Sequence, residues 1–117
     1  MLIPYKKEYE KIAMGLLSFM PGEKRVQDIQ KTLDMYRSSA EWKLYLWKHK
    51  DGSIIGVAGI EEANEYIYLH DITLNPSYRN EGVAKQMVDE LEGLYKTSLK
   101  GTKVTEDFLE HCRKNGC

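Results

Sequence analysis

The sequence predicts an α+β fold, a mixed α/β sandwich of helices packed on a sheet. Two observations lead to this prediction. The hydrophobic period changes along the chain from helical to alternating and back to helical, and 117 residues suit a single core. Hydrophobic residues make up 42% and charged residues 30% of the chain, which is the composition of a folded globular protein. We therefore expect one domain spanning residues 1–117.

The first third of the chain is predicted to hold an edge strand and two helices. Met1–Tyr5 is short and apolar, as an edge strand would be. Apolar residues recur at helical spacing through Tyr9–Met20, and Pro21-Gly22 ends that run. A second amphipathic helix is predicted from Val26 to about Ser38. Both helices have a polar opposite face, so each should pack on another element.

The middle of the chain is predicted to form three strands. Trp42–Lys48 is rich in aromatic residues, and Asp51-Gly52 after it is a strong hairpin signal. Ile54–Ile60 is predicted to be the returning strand. A polar turn is expected at Glu61–Glu65, followed by a third strand at Tyr66–Leu74.

The last third is predicted to return to helices. A long helix is expected over Val83–Lys96, with an apolar face that includes Leu94. A short strand at Thr97–Lys100 and a helix over Glu106–Lys114, capped by Thr105, complete the pattern. This order of elements is what predicts the α+β or mixed α/β class.

Composition and charge exclude several classes of function. The longest apolar runs are far below the roughly 20 residues that cross a bilayer, and no signal-peptide pattern opens the chain. Seventeen basic and eighteen acidic residues give a net charge of −1 without a basic stripe, so neither nucleic acid nor membrane is expected as a partner. We expect a cytoplasmic protein with reduced thiols at Cys112 and Cys117. The cysteines and the three histidines lack metal-site spacing, so no metal is expected.

The alternation of the third strand changes phase, which predicts a β-bulge. Ile67 and Leu69 are apolar at odd positions, whereas Ile72 and Leu74 are apolar at even ones. A strand that keeps one apolar face needs an inserted residue to do this, which places a bulge near His70-Asp71. A bulge leaves backbone N–H groups available to a ligand. The alternative is a strand buried on both faces, for which the phase carries no meaning.

The turn between this strand and the long helix is predicted to bind an anion. Asn75–Tyr78 forms a turn, and Arg79–Ala84 runs directly into the helix. Successive backbone N–H groups point inward at such a junction, the helix dipole favours negative charge, and Arg79 can add a fork of donors. The pattern lacks the Gly-Lys-Ser/Thr of a P-loop and the three glycines of a dinucleotide fold. Many strand–helix turns with a single glycine bind nothing.

The stretch NPSYRNEGVA resembles motif A of the GNAT acetyltransferases, whose core is Arg or Gln, two residues, Gly, one residue, and Gly or Ala. Arg79, Gly82 and Ala84 fill those three positions. The resemblance implies a GNAT-like mixed, mostly antiparallel sheet with helices on both faces, truncated after the last helix. The small size and the opening Met1–Pro21 are most similar to the RibT-type family, short GNAT-like proteins encoded beside riboflavin-synthesis genes.

The resemblance further implies acetyl-CoA as co-substrate and a set of residues that hold it. Backbone groups of the third strand would pair with the pantetheine arm, and amides of the following turn would hold the diphosphate. An amide near Thr73 and Leu74 would stabilise the oxyanion of acyl transfer. These residues are Ile72, Thr73, Leu74, Arg79, Asn80, Glu81, Gly82, Val83, Ala84 and Lys85.

Departures from the family pattern affect the expected acid–base chemistry. Glu81 places a negative charge beside the phosphates, which should weaken coenzyme binding without abolishing it. Phe108-Leu109 stands where relatives carry a Phe-Tyr pair, so the expected acid is absent. Longer relatives continue into two more strands, so either a partner subunit, as in a homodimer, completes the truncated sheet or the acceptor cleft is unusually open. His70 and Asp71 are the first candidates for a base, ahead of Glu61 and Glu62. Their alternative roles are a surface strand residue for His70 and a hydrogen-bonding partner of the bulge for Asp71.

Three hypotheses of function follow. The leading one is an acetyl-CoA-dependent N-acetyltransferase that transfers an acetyl group to a small-molecule or protein amine by direct attack. The second is a GNAT-fold protein that binds acyl-CoA as a sensor or partner without turnover, which the missing tyrosine favours. The third is an interaction domain that has lost the ligand, to which only Glu81 points.

Overall fold

The computed structural model describes residues 1–21 and 25–115 of the chain. Its elements follow the predicted order closely. They are β1 (Leu2–Pro4), a 3₁₀ turn (Lys7–Tyr9), α1 (Glu10–Leu17), α2 (Val26–Ser38), β2 (Trp42–Lys48), β3 (Ile54–Ala63), β4 (Tyr66–Leu74), a second 3₁₀ turn (Pro76–Tyr78), α3 (Val83–Tyr95), β5 (Leu99–Gly101) and α4 (Glu106–Asn115).

The five strands form one sheet in the order β1-β2-β3-β4-β5. The first four pair antiparallel, and β5 pairs parallel to β4. Because a parallel neighbour needs a crossover connection, α3 carries the chain from the end of β4 back to the start of β5. The sheet is therefore mixed and mostly antiparallel, which confirms the predicted fold class.

Helices cover both faces of this sheet, and each face has its own core. On one face, Met87, Val88 and Leu91 of α3 and Leu109 of α4 pack on strand residues that include Leu69. On the other face, the buried residues of α1 and α2 pack on β2 and β3. The core on this face, from both helices and both strands, consists of Ala13, Leu16, Leu17, Leu33, Tyr36, Leu44, Leu46 and Val57. Layers of this kind match the amphipathic faces predicted from the helical spacing.

Two local predictions, the polar turn at Glu61–Glu65 and the apolar position of Leu94, are wrong. Glu61 and Glu62 belong to β3, which continues to Ala63, so the turn contains only two residues and Asn64 adopts a positive φ of 36°. Leu94 is 56% exposed, because the buried stripe of α3 follows Met87 and Leu91 and turns away from that position.

The thiol prediction is wrong at Cys112. This residue is fully buried on α4 and is disulfide-bonded. Cys117, Gly22 and the end of the chain after Asn115 lie outside the described residues, so the other half of that prediction and the predicted Pro21-Gly22 stop are not described either.

Across 1–21 and 25–115, no helix has the length and apolar character needed to cross a membrane. In the same stretches of the chain, no group of three or more His, Cys, Asp and Glu side chains is placed to hold a metal ion.

Candidate active site

The predicted bulge lies in β4 at His70. Gly59 of β3 pairs with Asp71, but the next residue, Ile60, pairs with Leu69, so His70 is the inserted residue. The insertion lets Leu69 and Leu74 face the same core although their positions differ in parity. The structure thus confirms the prediction made from the change of phase.

Beyond the bulge, β4 has no β5 partner. The β4–β5 ladder ends with Leu69 opposite Gly101. Thr105, only 2% exposed, closes that end, because its hydroxyl donates to the Leu69 carbonyl over 2.6 Å and accepts from the Thr102 N–H over 3.0 Å. The predicted helix-capping residue therefore uses its hydroxyl to fix the point where the two strands separate.

Past the bulge, β4 directs backbone groups into the gap that opens between β4 and β5 after Leu69. The N–H of Asn75 donates to the Ile55 carbonyl of β3 over 2.7 Å, and antiparallel pairs alternate between bonded and non-bonded residues. Thr73 and Asp71 are therefore bonded to β3. The N–H and C=O groups of Ile72 and Leu74 point away from β3, toward the side that β5 leaves open.

The junction between β4 and α3 forms a concave run of amides. Asn75 begins the turn and accepts from the Ser77 N–H through its side chain at 2.9 Å. Asn80 and Gly82 both adopt left-handed conformations, with φ of 67° and 78°. The first intrahelical bond of α3 runs from Gln86 N–H to Gly82 C=O, so the amides of Val83–Lys85 precede the hydrogen-bonded ladder. Such a junction suits an anion.

A cleft of about 310 Å³ joins these two features. Its walls come from the end of α1, the separated segment of β4, the junction and α4. Most of the lining is apolar, with Arg79 as a fixed positive charge whose guanidinium carbon lies 5.8 Å from the centre of the Phe19 ring. The lining residues are Phe19, Met20, Pro21, Ile72, Thr73, Leu74, Arg79, Asn80, Gly82, Val83, Ala84, Phe108 and His111.

Eight of the ten residues predicted to hold the coenzyme line this cleft, and two do not. Glu81 lies beside a second cavity of about 610 Å³, next to the β2–β3 hairpin. The Lys85 ammonium lies 2.6 Å from the Asp89 carboxylate, one turn along α3. Thr73 contributes to the cleft although its buried hydroxyl donates to the Leu16 carbonyl over 2.7 Å.

Asp71 is held on the α1–α2 side of the sheet by Tyr36. The Tyr36 hydroxyl donates to Oδ2 of Asp71, and the tyrosine ring lies so close over Gly59 that a Cβ there would overlap it. Burial raises the pKa of the Asp71 carboxyl, while the Tyr36 hydrogen bond and the neighbouring His70 partly lower it. Burial and the adjacent carboxylate raise the pKa of Tyr36, so Tyr36 remains the donor.

His70 and Glu61 form a second pair next to Asp71. His70 Nε2 lies 2.8 Å from Glu61 Oε1, and its ring stacks on Trp42 with centroids 4.2 Å apart. Glu62 faces elsewhere and pairs with the Lys43 ammonium at 3.4 Å. The structure therefore brings three of the four predicted base candidates into one cluster.

A small cavity of about 120 Å³ lies beside Asp71 and next to the main cleft. Asp71 lines it, and Met20 and Pro21 line both spaces. A molecule entering between α1 and α2 would thus approach β4 on the face opposite α4. A carboxylate in such a position can accept a proton.

Three side chains of this region lie beyond what sequence reasoning predicts. The helical spacing marks Tyr36 only as an apolar helix position, and nothing local signals a hydroxyl contact 35 residues away. Phe19 gives no signal for its contact with Arg79. His111 stands three residues after Phe108, and this helical spacing could have placed both on one face of α4.

The site thus consists of a bulged strand that separates from its neighbour and ends beside a concave run of backbone amides. The model of the Acetyltransferase (GNAT) family matches residues 11–116. A Bacillus methanolicus protein, named as an uncharacterized N-acetyltransferase in the lysA 3′ region, is 45% identical over 114 residues, covering 96% of this chain and 94% of the relative. The chain therefore belongs to the GNAT acetyltransferase family.

Solved structures share the fold at low sequence identity. The aminoglycoside 6′-N-acetyltransferase AAC(6′)-Ig from Acinetobacter haemolyticus matches with a TM-score of 0.77 at 15% identity, covering 100% of this chain and 90% of that one. AAC(6′)-Iy, in complex with the bisubstrate analogue CoA-S-monomethyl-acetylneamine, matches with a TM-score of 0.73 at 17% identity, covering 95% and 84%. Family membership supports acetyltransferase activity of the GNAT type.

Proposed function

We propose that this protein is an acetyl-CoA-dependent N-acetyltransferase that transfers the acetyl group to an amine by direct attack. The observation that supports the proposal most is the continuity of the cleft. Outward backbone groups of Ile72 and Leu74 at one end lead without interruption to the amides of the β4–α3 junction at the other. An extended chain ending in a diphosphate would use both ends at once.

In this proposal the coenzyme lies along β4 as a substitute for the missing continuation of β5. The diphosphate binds the junction amides and Arg79, and the pantetheine arm runs over Leu74 toward the bulge. The thioester, being farthest from the phosphates, comes nearest to Ile72. The N–H of Ile72 faces the gap, so it is the donor we assign to the oxyanion, in place of the Thr73 amide, which is directed toward β3.

The amine approaches from the opposite side of β4 through the cavity lined by Asp71. An amine must lose a proton before or during attack, and Asp71 accepts it directly or through water. The His70–Glu61 pair is adjacent and carries that proton toward solvent. Tyr36 holds the Asp71 carboxylate in place by its hydrogen bond.

A pair of glycine variants tests the binding site. Gly82 and Gly52 both have positive φ, 78° and 94°, and a Cβ at either position meets no atom within 4 Å. A Cβ at either glycine therefore meets backbone strain and no clash, and that strain costs roughly 1–2 kcal/mol. We expect Gly82→Val to abolish the rise in Tm caused by acetyl-CoA, because it reorients the junction amides. Gly52→Val should lose similar stability and keep the rise.

The expected rise in Tm with acetyl-CoA is large enough to measure. Saturation at 100 times the Kd stabilises the native state by about 2.7 kcal/mol, which is on the order of 10 °C for a domain of this size. Thiol release is then measured with a panel containing an aminoglycoside, a polyamine and a peptide amine. A rise in Tm that survives in Gly82→Val would remove the diphosphate from this junction.

The second candidate function is an acyl-CoA-binding sensor without turnover. It is favoured by Phe108-Leu109, which stands where the family commonly carries a Phe-Tyr pair. Both functions require a rise in Tm with acetyl-CoA, but only the enzyme releases thiol when an amine is added. A rise without thiol release from any amine would support the sensor.

A homodimer stays a prediction, but the hydrogen bonds at the outer edge of β5 disfavour a dimer that completes the sheet there. The Leu99 N–H donates to Glu92 over 2.9 Å, and the Leu99 carbonyl accepts from Arg113 over 2.7 Å. These two side chains also pair with each other at 3.2 Å. An added strand would have to displace both side chains from Leu99, so we place a dimer contact elsewhere. Light scattering would report the oligomeric state.

Cytoplasmic location and the RibT-type subfamily also remain predictions.

A further inference from the structure

α4 carries a histidine that faces the coenzyme cleft. His111 follows Phe108 by three residues, so helical spacing places both on one face, and both line the cleft with Ile72 and Leu74. Asp71 belongs to the opposite face of β4, against α2. Two groups able to transfer protons therefore flank the same stretch of strand from opposite sides.

Acyl transfer from a thioester needs a proton for the sulfur as well as a base for the amine. Among the described residues that line the cleft, the side chains with exchangeable protons are Thr73, Arg79, Asn80 and His111. The Thr73 hydroxyl is committed to the Leu16 carbonyl. A guanidinium keeps its protons at any physiological pH, and a carboxamide does not ionise, whereas an imidazolium gives up a proton near neutrality.

We propose that His111 is the general acid that protonates the departing thiolate, an inference that rests on the proposed N-acetyltransferase function. The amine nitrogen attacks the thioester carbonyl carbon and forms the C–N bond. The C–S bond then breaks with its electron pair going to sulfur, and the His111 imidazolium delivers a proton to that sulfur. The products are the acetylated amine and CoA thiol. The amine proton passes to Asp71 or water, and solvent reprotonates His111.

The charged groups around His111 are mixed. On α4, Asp107 stands one turn before it and Lys114 nearly one turn after it. Across the cleft, Arg79 lies at the end that we assign to the diphosphate. The Lys114 ammonium lies 2.8 Å from the Glu110 carboxylate, so Arg79 is the fixed positive charge among the residues described as lining the cleft.

The test compares His111→Gln and His111→Tyr with a control, His49→Gln. His49 belongs to the β2–β3 hairpin and does not line this cleft, although its ring lies 5.1 Å from that of Tyr78. We expect His111→Gln to lower kcat by roughly 10²-fold and to remove the alkaline limb of its pH profile, with the acetyl-CoA-dependent rise in Tm unchanged. His111→Tyr should restore some of kcat and move the alkaline limb upward, because a phenol ionises near pH 10. The control should match the native protein.

A measurement without turnover separates this inference from the proposed function. The bound CoA thiol is titrated by its thiolate absorbance in the native protein and in His111→Gln. We expect the thiol to titrate at lower pH in the native protein, because the imidazolium stabilises the thiolate. Identical titrations, or an unchanged kcat and pH profile in His111→Gln, would overturn the role of His111 even if the protein is an active enzyme. Failure of the native protein to bind acetyl-CoA would overturn both proposals together.

Discussion

Replacing Asp71 by Asn should separate the stability of this protein from its activity. Asn has nearly the same shape and still accepts the hydrogen bond from the Tyr36 hydroxyl. It lacks the charge whose burial raises the pKa of Asp71 in the native protein. Each unit by which that pKa exceeds the unfolded value corresponds to about 1.4 kcal/mol of folding free energy lost once the carboxyl is ionised.

The sign of the pH dependence follows from the raised pKa. Between the unfolded and the folded pKa, the native state binds more protons than the unfolded state, so the contribution of Asp71 to stability falls as pH rises. Below the unfolded pKa, near 3.9, wild type and Asp71→Asn are both neutral at this position. We therefore expect the stability of Asp71→Asn relative to wild type to increase from pH 4 to pH 7.

Urea unfolding at a series of pH values measures this difference, and other titrating groups cancel in it. Asp34→Asn serves as the control, because Asp34 is an exposed carboxylate on α2 whose side chain is 58% accessible. Its stability difference from wild type should change less with pH than that of Asp71→Asn, because solvent screens its pairing with Arg37 at 3.5 Å. In the same Asp71→Asn protein, kcat should fall roughly 10²-fold while the Tm rise with acetyl-CoA is kept. A wild type that gains stability over Asp71→Asn as pH rises would refute the reasoning.

Three further substitutions probe other contacts. Gly59→Ala should destabilise the fold by about 2–4 kcal/mol in urea unfolding, because its Cβ overlaps the buried Tyr36 ring; a loss below 0.5 kcal/mol would contradict this packing. Thr105→Val should cost about 1–3 kcal/mol because it leaves the Leu69 carbonyl without its hydroxyl donor, whereas Thr105→Ser should keep most of that stability. Glu81→Gln should tighten acetyl-CoA binding up to about fivefold by calorimetry, since an exposed charge is worth under about 1 kcal/mol, and weaker binding would reverse the sign we assign to its charge.

The features that the sequence predicts correctly are the local ones. The bulge at His70 follows from the difference in parity between Ile67 and Leu69 on one side and Ile72 and Leu74 on the other, a pattern confined to eight residues. The β4–α3 junction is predictable because the turn residues and the helix start are adjacent in the chain. Period and turn chemistry act over such short distances, so they predict these elements well.

The features that could not be predicted depend on contacts between distant segments. Tyr36 reaches Asp71 across 35 residues, and the Thr105 hydroxyl reaches Leu69 across 36. A helical pattern tells which face is buried and not which atom a hydroxyl meets. His111 is a similar case, because its place in the cleft depends on how α4 crosses the sheet.

The gap between β4 and β5 exists before any ligand arrives, because Thr105 fixes its closed end and the bulge turns β4 away. The free energy needed to separate these strands has thus been supplied during folding, and coenzyme docking requires no rearrangement of the sheet. The amides of Ile72 and Leu74 should accordingly exchange with deuterium quickly in the free protein, while that of Thr73 exchanges slowly. Coenzyme saturation should slow the first two and leave the third as it was.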